Sequence, residues 1–294
     1  MRRIHLPKFG YVLALLSTLM LLPLHAASSE PAPQRIIALA PHIVELLFDI
    51  GAGDQLVAVS DHSDYPAIAR ELPRVANYAA IQLEAVLSLQ PDLVIAWRSG
   101  NPAADLQRLA ALGVRIEYSD PKQLADVATE LRYLGELTGH VQQAEQQAQR
   151  YEQELARLEQ QYQQHQPVRV FFASSTQPLS TVANQAWPQQ MLELCGAENP
   201  FADVKGDYPT IGPEQLLLAQ PELIIVPSGS MQAINPADWT QFARIPAVQN
   251  QQFLQANADY LYRFTRRSLL GIKQLCQGID DFRQTTALTT KADR

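Results

Sequence analysis

Short apolar runs alternate with amphipathic stretches in two blocks of the chain, and a long polar segment separates the blocks. The first block carries strand-like runs at 35–40, 55–60, 92–97 and 115–119. The second block carries them at 169–174, 222–228 and 251–257. Because these runs are largely apolar and alternate with helical stretches, they predict parallel strands covered on both faces by helices.

Helical stretches fill the intervals between the predicted strands. The run "PHIVELLFDIG" has Pro41 where a helix can begin and Gly51 where it can end. Further helical stretches are "LEAVLSL", "AADLQRLAALG", "QQMLELCG", "PEQLLLAQ" and, near the end of the chain, "RSLLGIKQLCQGIDDF". The predicted fold class is α/β, with two Rossmann-like lobes whose sheets are mostly parallel.

Residues 138–166 form the polar segment and contain no proline or glycine after Gly139. The apolar positions recur every three or four residues, at Val141, Ala144, Ala148, Tyr151, Leu155, Leu158 and Tyr162. This narrow stripe predicts one helix, about 40 Å long at ~1.5 Å per residue, that packs across both lobes. A coiled-coil dimer, and with it a scaffold protein, is the alternative, although alanines make a weak seam.

Two stretches of similar pattern begin 130 residues apart, "LEAVLSLQPDLVI" at 83 and "PEQLLLAQPELII" at 213. Each combines a glutamate, an apolar helical stretch, a Gln-Pro-acid turn and a buried-strand run. The glutamates are Glu84 and Glu214, and a tyrosine precedes each by six residues, at Tyr78 and Tyr208. The repeat indicates the same structural element in each lobe. From the residues alone, both glutamates also fit ordinary first-turn positions favoured by the helix dipole.

Residues 1–27 have the features of a secretory signal peptide. A basic start precedes an apolar run of 14 residues, and small residues follow at Ala26 and Ala27. The run is too short to span a bilayer comfortably, so a membrane anchor is the weaker alternative. No cysteine follows it, which argues against a lipid anchor. We therefore expect the mature chain to be free in an oxidising space outside the cytoplasm, which is the periplasm if the family resemblance described below holds.

The mature chain is predicted to contain four parts: an N-terminal lobe at 35–137, a linker helix at 138–166, a C-terminal lobe at 167–285 and a polar tail at 286–294. About 267 residues suit two lobes better than one core. Loss of three basic residues with the signal peptide changes the formal net charge from −7 to about −10. An acidic chain without basic clusters argues against binding to nucleic acid or anionic membranes.

Cys195 and Cys276 are the only cysteines in the sequence. In a secreted chain an even pair predicts a disulfide, and two buried thiols are the alternative. Their spacing fits no zinc or haem-attachment motif.

Aromatic residues lie in polar loops near the ends of predicted strands, where open α/β sheets bind ligands. They are Tyr65, Tyr78, Trp97, Tyr208 and Tyr260, with Tyr262 and Phe264 close to the last. Each could instead be a core residue. Taken together they predict a flat-walled cleft for a large ligand, because aromatic rings give much contact area at little cost in side-chain entropy.

The sequence lacks the usual signatures of catalysis. "GAGDQL" follows a helix rather than a strand, and no G-x-S-x-G motif is present. The four histidines after the signal peptide have no metal-ligand spacing: His42, His62, His140 and His165. We predict no enzymatic activity, no cofactor and no bound metal. The alternative is a secreted metal-dependent hydrolase that uses His42, His62 and Asp61.

The stretch "LRYLGELTGHVQQAEQ" resembles the entry to the linker helix in periplasmic binding proteins of the helical-linker class, class III, which serve ABC importers of cobalamin, haem and ferric siderophores. Within that class, "SDYP" at 63–66, "PDLVIAWRSGN" at 91–101 and "LELCGAENPF" at 192–201 are similar to cobalamin-binding members. The likeness extends over about 35–285. It implies a monomer that captures cobalamin, or a related corrinoid, for an ABC import permease.

The resemblance implies ligand contacts from Tyr65, Tyr78, Trp97, Tyr208, Asp259 and Tyr260, with Pro41 and Arg98 nearby. The family pattern has tryptophan where this chain has Tyr78, Tyr208 and Tyr260, so stacking area is lost and a hydroxyl is added. The stretch "SSTQPLS" also lacks a phenylalanine of the family pocket. These departures concern affinity and corrinoid type more than fold.

The resemblance also implies that Glu84 and Glu214 dock onto arginines of the permease, one from each lobe. Two equivalent glutamates suit a two-fold symmetric permease dimer. Haem and ferric siderophores are the alternative ligands. Haem is expected to need a Tyr or His axial ligand, and a siderophore several arginines, for which Arg98 and Arg263 are the candidates.

Overall fold

The structure is a computed structural model that describes residues 31–162, 166–229 and 236–292. The predicted signal peptide at 1–27 lies outside these ranges, as does His165 at the end of the predicted linker helix. Within the described ranges, no helix is both long and apolar enough to cross a membrane.

The N-terminal lobe is built on a five-stranded parallel sheet. Its strands are β1 (Ile36–Ala38), β2 (Leu56–Ser60), β3 (Arg74–Ala76), β4 (Leu93–Trp97) and β5 (Ile116–Ser119), in the order β3-β2-β1-β4-β5. The helices between them are α1 (Pro41–Asp49), α2 (Leu83–Ser88) and α3 (Ala103–Ala111). The winding direction reverses between β1 and β4, where open α/β sheets form ligand crevices.

Two helices join the lobes where the sequence predicts one. Helix α4 (Asp126–Thr138) ends at Gly139, which has a left-handed φ of 80°, and α5 (Val141–Tyr162) follows. The long helix therefore begins three residues later than the predicted position 138. The two helices pack closely, because a Cβ atom on Gly135 would lie 2.3 Å from the Cβ atom of Ala144. This close approach explains a glycine inside α4.

The C-terminal lobe contains a four-stranded parallel sheet in the order β11-β10-β6-β9 and a small antiparallel hairpin, β7-β8. The strands are β6 (Val168–Phe172), β7 (Ser175–Thr176), β8 (Leu179–Ser180), β9 (Ala197–Glu198), β10 (Leu223–Ser228) and β11 (Phe253–Asn257). The helices are α6 (Trp187–Leu194), α7 (Pro213–Ala219), α8 (Pro246–Gln249), α9 (Ala258–Tyr262) and α10 (Ser268–Ala292). Helix α10 continues into the predicted polar tail.

The seven strands predicted from apolar runs and the α/β fold class with two lobes are confirmed. The sequence-based prediction omits β3, β7, β8 and β9, which have only two or three residues each. Such short segments lack enough alternating positions to produce a pattern. They extend the sheets at their edges or form the small hairpin, so the sheet topology depends on them.

One apolar core extends through both lobes by way of α5. The predicted stripe is buried except at Val141, and its buried members are Ala144, Ala148, Tyr151, Leu155, Leu158 and Tyr162. These residues belong to the same cluster as Leu46 and Leu131 on the N-terminal side and Met191 and Ile272 on the C-terminal side. The chain's own lobes thus cover the stripe that a coiled-coil dimer would require.

The two copies of the internal repeat adopt the same local structure. Gln90 and Gln220 both have a left-handed φ of 46° after helices α2 and α7. The acidic residue of each turn then accepts hydrogen bonds from backbone N–H groups at the start of the neighbouring strand. Asp92 accepts from the N–H of Arg35 at 3.0 Å, and Glu222 from that of Arg169 at 3.1 Å. The repeat therefore ties equivalent strands together in each lobe.

A disulfide joins Cys195 at the end of α6 to Cys276 in α10, as the even pair of cysteines predicts. Both residues are completely buried in the shared core. The bond ties α10 to the end of α6 within the C-terminal lobe.

Replacing both cysteines with alanine is expected to lower the free energy of unfolding. The sequence separation of 81 residues gives an upper figure of about 4.5 kcal/mol from loop entropy in the unfolded chain. Guanidinium denaturation of the wild type, with and without reductant, measures the effect. The Cys195→Ala/Cys276→Ala variant is the control, because reductant should not change its midpoint. Equal stability of the oxidised and reduced wild type would contradict this expectation.

Candidate functional site

A cavity of about 480 Å³ lies between the lobes at the end of β4. The N-terminal lobe contributes Trp97, Ser99, Pro121 and Lys122. The C-terminal lobe contributes Ser174, Gln185, Ala186, Trp187, Asp207, Tyr208, Tyr262 and Phe264. The walls are mainly aromatic, with a few polar groups at the edges. Ligand sites commonly combine these features.

Four rings form a continuous cluster at the cavity. Phe264 lies at the centre, with ring centroids 5.6 Å from Trp97, 5.4 Å from His42 and 4.7 Å from Trp187. All three contacts are edge-to-face, an arrangement that aromatic pairs favour. In the described part of the chain, the indole nitrogens of Trp97 and Trp187 have no hydrogen-bond partner. Both indole nitrogens are buried, so the cluster presents ring surface rather than hydrogen-bond donors to the cavity.

His42 supports this cluster from the N-terminal lobe. Its ring is buried, and Nε2 lies 3.1 Å from the hydroxyl of Ser119. Burial lowers the pKa of His42 from its ordinary value to about 3, while the charge of Asp120 opposes the shift. The imidazole is therefore neutral at neutral pH and acts as a packed aromatic ring.

A charged network crosses between the lobes beside the cavity. Glu45 of α1 has only 2% of its surface exposed. Arg263 donates to Oε1 of Glu45 at 2.8 Å, and Arg267 donates to Oε2 at 3.0 Å. Arg263 also pairs with Asp64 at 2.7 Å and with Asp259 at 2.9 Å. Burial, the larger influence, raises the pKa of Glu45 above its ordinary value, and the two arginines oppose that rise.

Two of the predicted ligand contacts lie against this network. The guanidinium carbon of Arg267 is 4.1 Å from the ring centroid of Tyr65 and 5.1 Å from that of Tyr260. The two tyrosines come from opposite lobes, so Arg267 holds them together across the interface. Tyr65 as a whole residue remains 44% exposed and can contact a ligand.

Five of the eight predicted ligand contacts fall into two groups. Trp97 and Tyr208 line the cavity, whereas Tyr65, Asp259 and Tyr260 surround the arginines beside it. The remaining three lie in neither group: Pro41, Tyr78 and Arg98. Pro41 begins α1, Tyr78 is 88% exposed after β3, and Arg98 lies 4.0 Å above the ring of Tyr118.

The residues of the hydrolase alternative do not converge. In the ranges that the structure describes, no group of three or more His, Cys, Asp or Glu side chains could hold a metal ion. His42 is engaged with Ser119 in the aromatic cluster. His62 is exposed after β2, with a left-handed φ of 62°.

A larger concavity of about 680 Å³ lies elsewhere, between α5 and α6. Its lining is rich in amides and carboxylates, including Gln123, Glu159, Gln190 and Glu193. Such a surface is readily solvated and offers few flat apolar walls. We therefore assign the functional site to the smaller aromatic cavity, which also lies at the ends of the parallel strands.

Glu84 and Glu214 lie in the first turns of α2 and α7, and both are exposed. Their equivalent positions follow from the repeat, one on each lobe. Neither lines the aromatic cavity.

The sequence-based prediction misses Trp187 and the role of Glu45. Trp187 precedes a proline at the start of α6, so its position resembles a simple helix start. Glu45 offered a signal, because an acidic residue in the apolar run "PHIVELLFD" cannot avoid burial without interrupting the helix face. The sequence alone could not show which arginines would meet it.

Two α/β lobes, a long helix that bridges them and an aromatic cavity between them define the class of bilobal solute-binding proteins. The chain belongs to the periplasmic binding protein family, because the sequence model of that family matches residues 36–263. The resemblance drawn from the sequence is thereby confirmed at the level of the family.

Relatives with known names extend this result. The chain is 39% identical over 264 residues to the vitamin B12-binding protein of Vibrio vulnificus strain YJ016, a match that covers 89% of this chain and 95% of that protein. The crystal structure of the periplasmic vitamin B12-binding protein of Vibrio cholerae is similar, with a TM-score of 0.77 and 38% identity over 86% of this chain and 99% of that one. A periplasmic heme-binding protein from Roseiflexus sp. RS-1 has a TM-score of 0.77 at 23% identity, covering 85% and 98% of the two chains, and thus shares the fold.

The low pKa of His42 predicts a loss of stability in acid. The unfolded histidine binds a proton below about pH 6.5, whereas the folded one does so only near pH 3. Between these values the free energy of unfolding should fall with pH by up to about 1.4 kcal/mol per unit from this residue.

Denaturant unfolding of the wild type and of His42→Gln at about pH 7, 6, 5 and 4 measures how steeply the free energy of unfolding depends on pH. The His42→Gln variant should lose this contribution, so its free energy of unfolding should depend less steeply on pH. His140→Gln, outside the aromatic cluster, is the control and should retain it. Equal slopes for His42→Gln and the wild type would show that His42 is not responsible.

Proposed function

We propose that the chain captures cobalamin or a related corrinoid in the aromatic cavity and delivers it to an ABC import permease. The observation that carries this proposal is one cavity walled by Trp97 from one lobe and by Trp187, Tyr208 and Phe264 from the other. This cavity occurs in a chain 39% identical to a protein named vitamin B12-binding. In this role the protein binds and releases its ligand without catalysing a reaction.

The chemistry of the cavity suits a corrinoid. Aromatic rings supply flat apolar contact to a large macrocycle at little cost in side-chain entropy. The lining also contains Ser99, Lys122, Gln185 and Asp207, whose polar groups can hydrogen-bond the amide side chains around a corrin ring.

The same site is less suited to haem. Burial raises the pKa of Tyr262 to about 12, so its phenol resists the deprotonation that strong ligation of ferric iron requires. His42 is buried and already paired with Ser119. A ferric siderophore is also disfavoured, because it is expected to need several arginines. Of the two candidates, Arg263 pairs with carboxylates and Arg98 lies over the ring of Tyr118 outside the cavity lining.

In this proposal the signal peptide at 1–27 directs export of the protein, which then acts as a monomer in the periplasm. Because α5 gives the lobes a shared core, movement of the lobes on binding should be small. Release then requires the permease to bind the lobes and separate them. By linkage, that separation lowers the affinity for the ligand.

Titration of the mature protein with cyanocobalamin tests the proposal. We expect one-to-one binding by calorimetry, and Trp97→Ala should weaken it at least about tenfold, a loss of about 1.4 kcal/mol, because a central aromatic wall is removed. Haemin is titrated in parallel by visible absorbance.

Tyr133→Ala is the matched control, because Tyr133 lies on α4 outside the cavity and its hydroxyl donates to Glu117. Its affinity should equal that of the wild type. Absence of cyanocobalamin binding, together with a shifted haem band, would replace the corrinoid proposal with haem binding.

Docking on the permease is proposed for Glu84 and Glu214. Both carboxylates are exposed, and the repeat places one on each lobe in the same local setting. Two such charges can meet a positively charged, two-fold symmetric surface with one glutamate on each half. Charged groups at the edge of an interface mainly govern association rate and orientation.

Reversing both charges, in Glu84→Lys/Glu214→Lys, is expected to abolish most vitamin uptake into vesicles that contain the permease. Cyanocobalamin affinity should stay within about twofold of the wild type, because neither residue lines the cavity. Glu136→Lys and Glu159→Lys, two exposed positions on the helices between the lobes, serve together as the control. Uptake at the wild-type rate by the double reversal would rule out this docking surface.

A further inference from the structure

Glu45 is in an unusual environment for a carboxylate. Its neighbours on α1 are buried apolar residues, namely Ile43, Val44, Leu46 and Leu47. Its side chain is 1% exposed, and removing a carboxylate from water is costly unless it is well paired. Two arginines from the opposite lobe supply that pairing, and a well-packed apolar residue could have filled the same space without them.

The first arginine connects Glu45 to a predicted ligand contact. Arg263 donates to Glu45 at 2.8 Å and also pairs with Asp259 at 2.9 Å. A third carboxylate, Asp64, meets Arg263 at 2.7 Å and directly precedes Tyr65. The guanidinium therefore donates to three carboxylates, through Nη1 to Glu45 and Asp64 and through Nη2 to Asp259, and the position of the Asp259 side chain depends on it.

The second arginine connects Glu45 to two more predicted contacts. With Nε bonded to Glu45, the guanidinium of Arg267 lies against the rings of Tyr65 and Tyr260. A planar guanidinium can stack on rings while it donates in its own plane. Glu45 thus sets the orientation of the Arg267 guanidinium plane that both tyrosine rings contact.

A neighbouring ion pair shows what a purely structural contact would look like. Arg266 binds Asp49 at 3.0 Å and 3.3 Å, and it also donates to Gln147. This pair likewise joins the C-terminal lobe to α1. Its described contacts include none of the predicted ligand residues. Asp49 is therefore a matched comparison for Glu45 within the same interface.

We infer that Glu45 is a positioning residue of the ligand site: through Arg263 and Arg267 it holds Asp259, Tyr65 and Tyr260 in the arrangement that contacts the corrinoid. The inference rests on the proposed function. It assigns the buried ion pairs a role in ligand affinity in addition to holding the lobes together.

The test is a double-mutant cycle with cyanocobalamin, measured by calorimetry on the mature protein. Glu45→Gln should weaken binding about tenfold, whereas Asp49→Asn should change it less than about twofold. In a Tyr65→Ala/Tyr260→Ala background, Glu45→Gln should weaken binding only about threefold further, through Asp259. A merely structural role predicts the same loss in both backgrounds, and that result would overturn the inference.

Arg267→Lys covers the case in which Glu45→Gln fails to fold. Lysine retains a positive charge for Glu45 but loses the planar contact with both rings. We expect binding at least about fivefold weaker with an unfolding midpoint close to that of the wild type. Unchanged affinity of Arg267→Lys would overturn the inference.

The outcomes separate this inference from the proposed function. A wild type that does not bind cyanocobalamin overturns both. A wild type that binds, combined with additive losses in the cycle, overturns only the role of Glu45.

Discussion

Burial of one narrow apolar stripe on α5 is the constraint on which the arrangement of the lobes depends. Ala144, Ala148 and Leu155 face a core that both sheets share. Separating the lobes widely would expose that core to water, at about 25 cal/mol for each Å² of apolar surface. Tyr151 strengthens the connection, because its buried hydroxyl donates to the carbonyl of Leu124 at 2.8 Å and lies 3.2 Å from the hydroxyl of Ser268. Wide separation of the aromatic walls of the cavity therefore carries the cost of exposing this core.

The polar contacts between the lobes have a different role from the apolar core. The core resists large movements but does not specify the orientation of individual side chains, since apolar contact is non-directional. The carboxylate–arginine pairs are directional, and those of Arg263 and Arg267 lie beside the cavity. A rigid frame combined with directional contacts at its opening suits a site that recognises a large ligand without a wide closing motion. It also explains why burial of Glu45 is tolerated.

The internal repeat shows that the same local structure can occur in two different tertiary surroundings. The Gln-Pro-acid turns have the same backbone geometry and tie equivalent strands in both lobes. The tyrosines that precede the two glutamates nevertheless differ. Tyr208 lines the cavity, and its ring centroid lies 6.4 Å from that of Tyr262, whereas Tyr78 is 88% exposed. Local sequence determines the shared turn, but the loop that carries each tyrosine is positioned by different neighbours. Equivalent sequence positions are therefore not equivalent site positions.

The sequence by itself determined the α/β class, the seven main strands, the buried stripe of the linker helix and the pairing of Cys195 with Cys276. These features depend on periodicity and on residue type, which a chain displays locally. It also pointed to Trp97 and Tyr208, because aromatic residues in polar loops after strands are conspicuous. Tertiary structure alone decided that Trp187 would meet Phe264 and that Arg263 and Arg267 would meet Glu45, more than 200 residues away. Such contacts arise from how the lobes pack against α5, and no local pattern encodes a distance between segments so far apart in the chain.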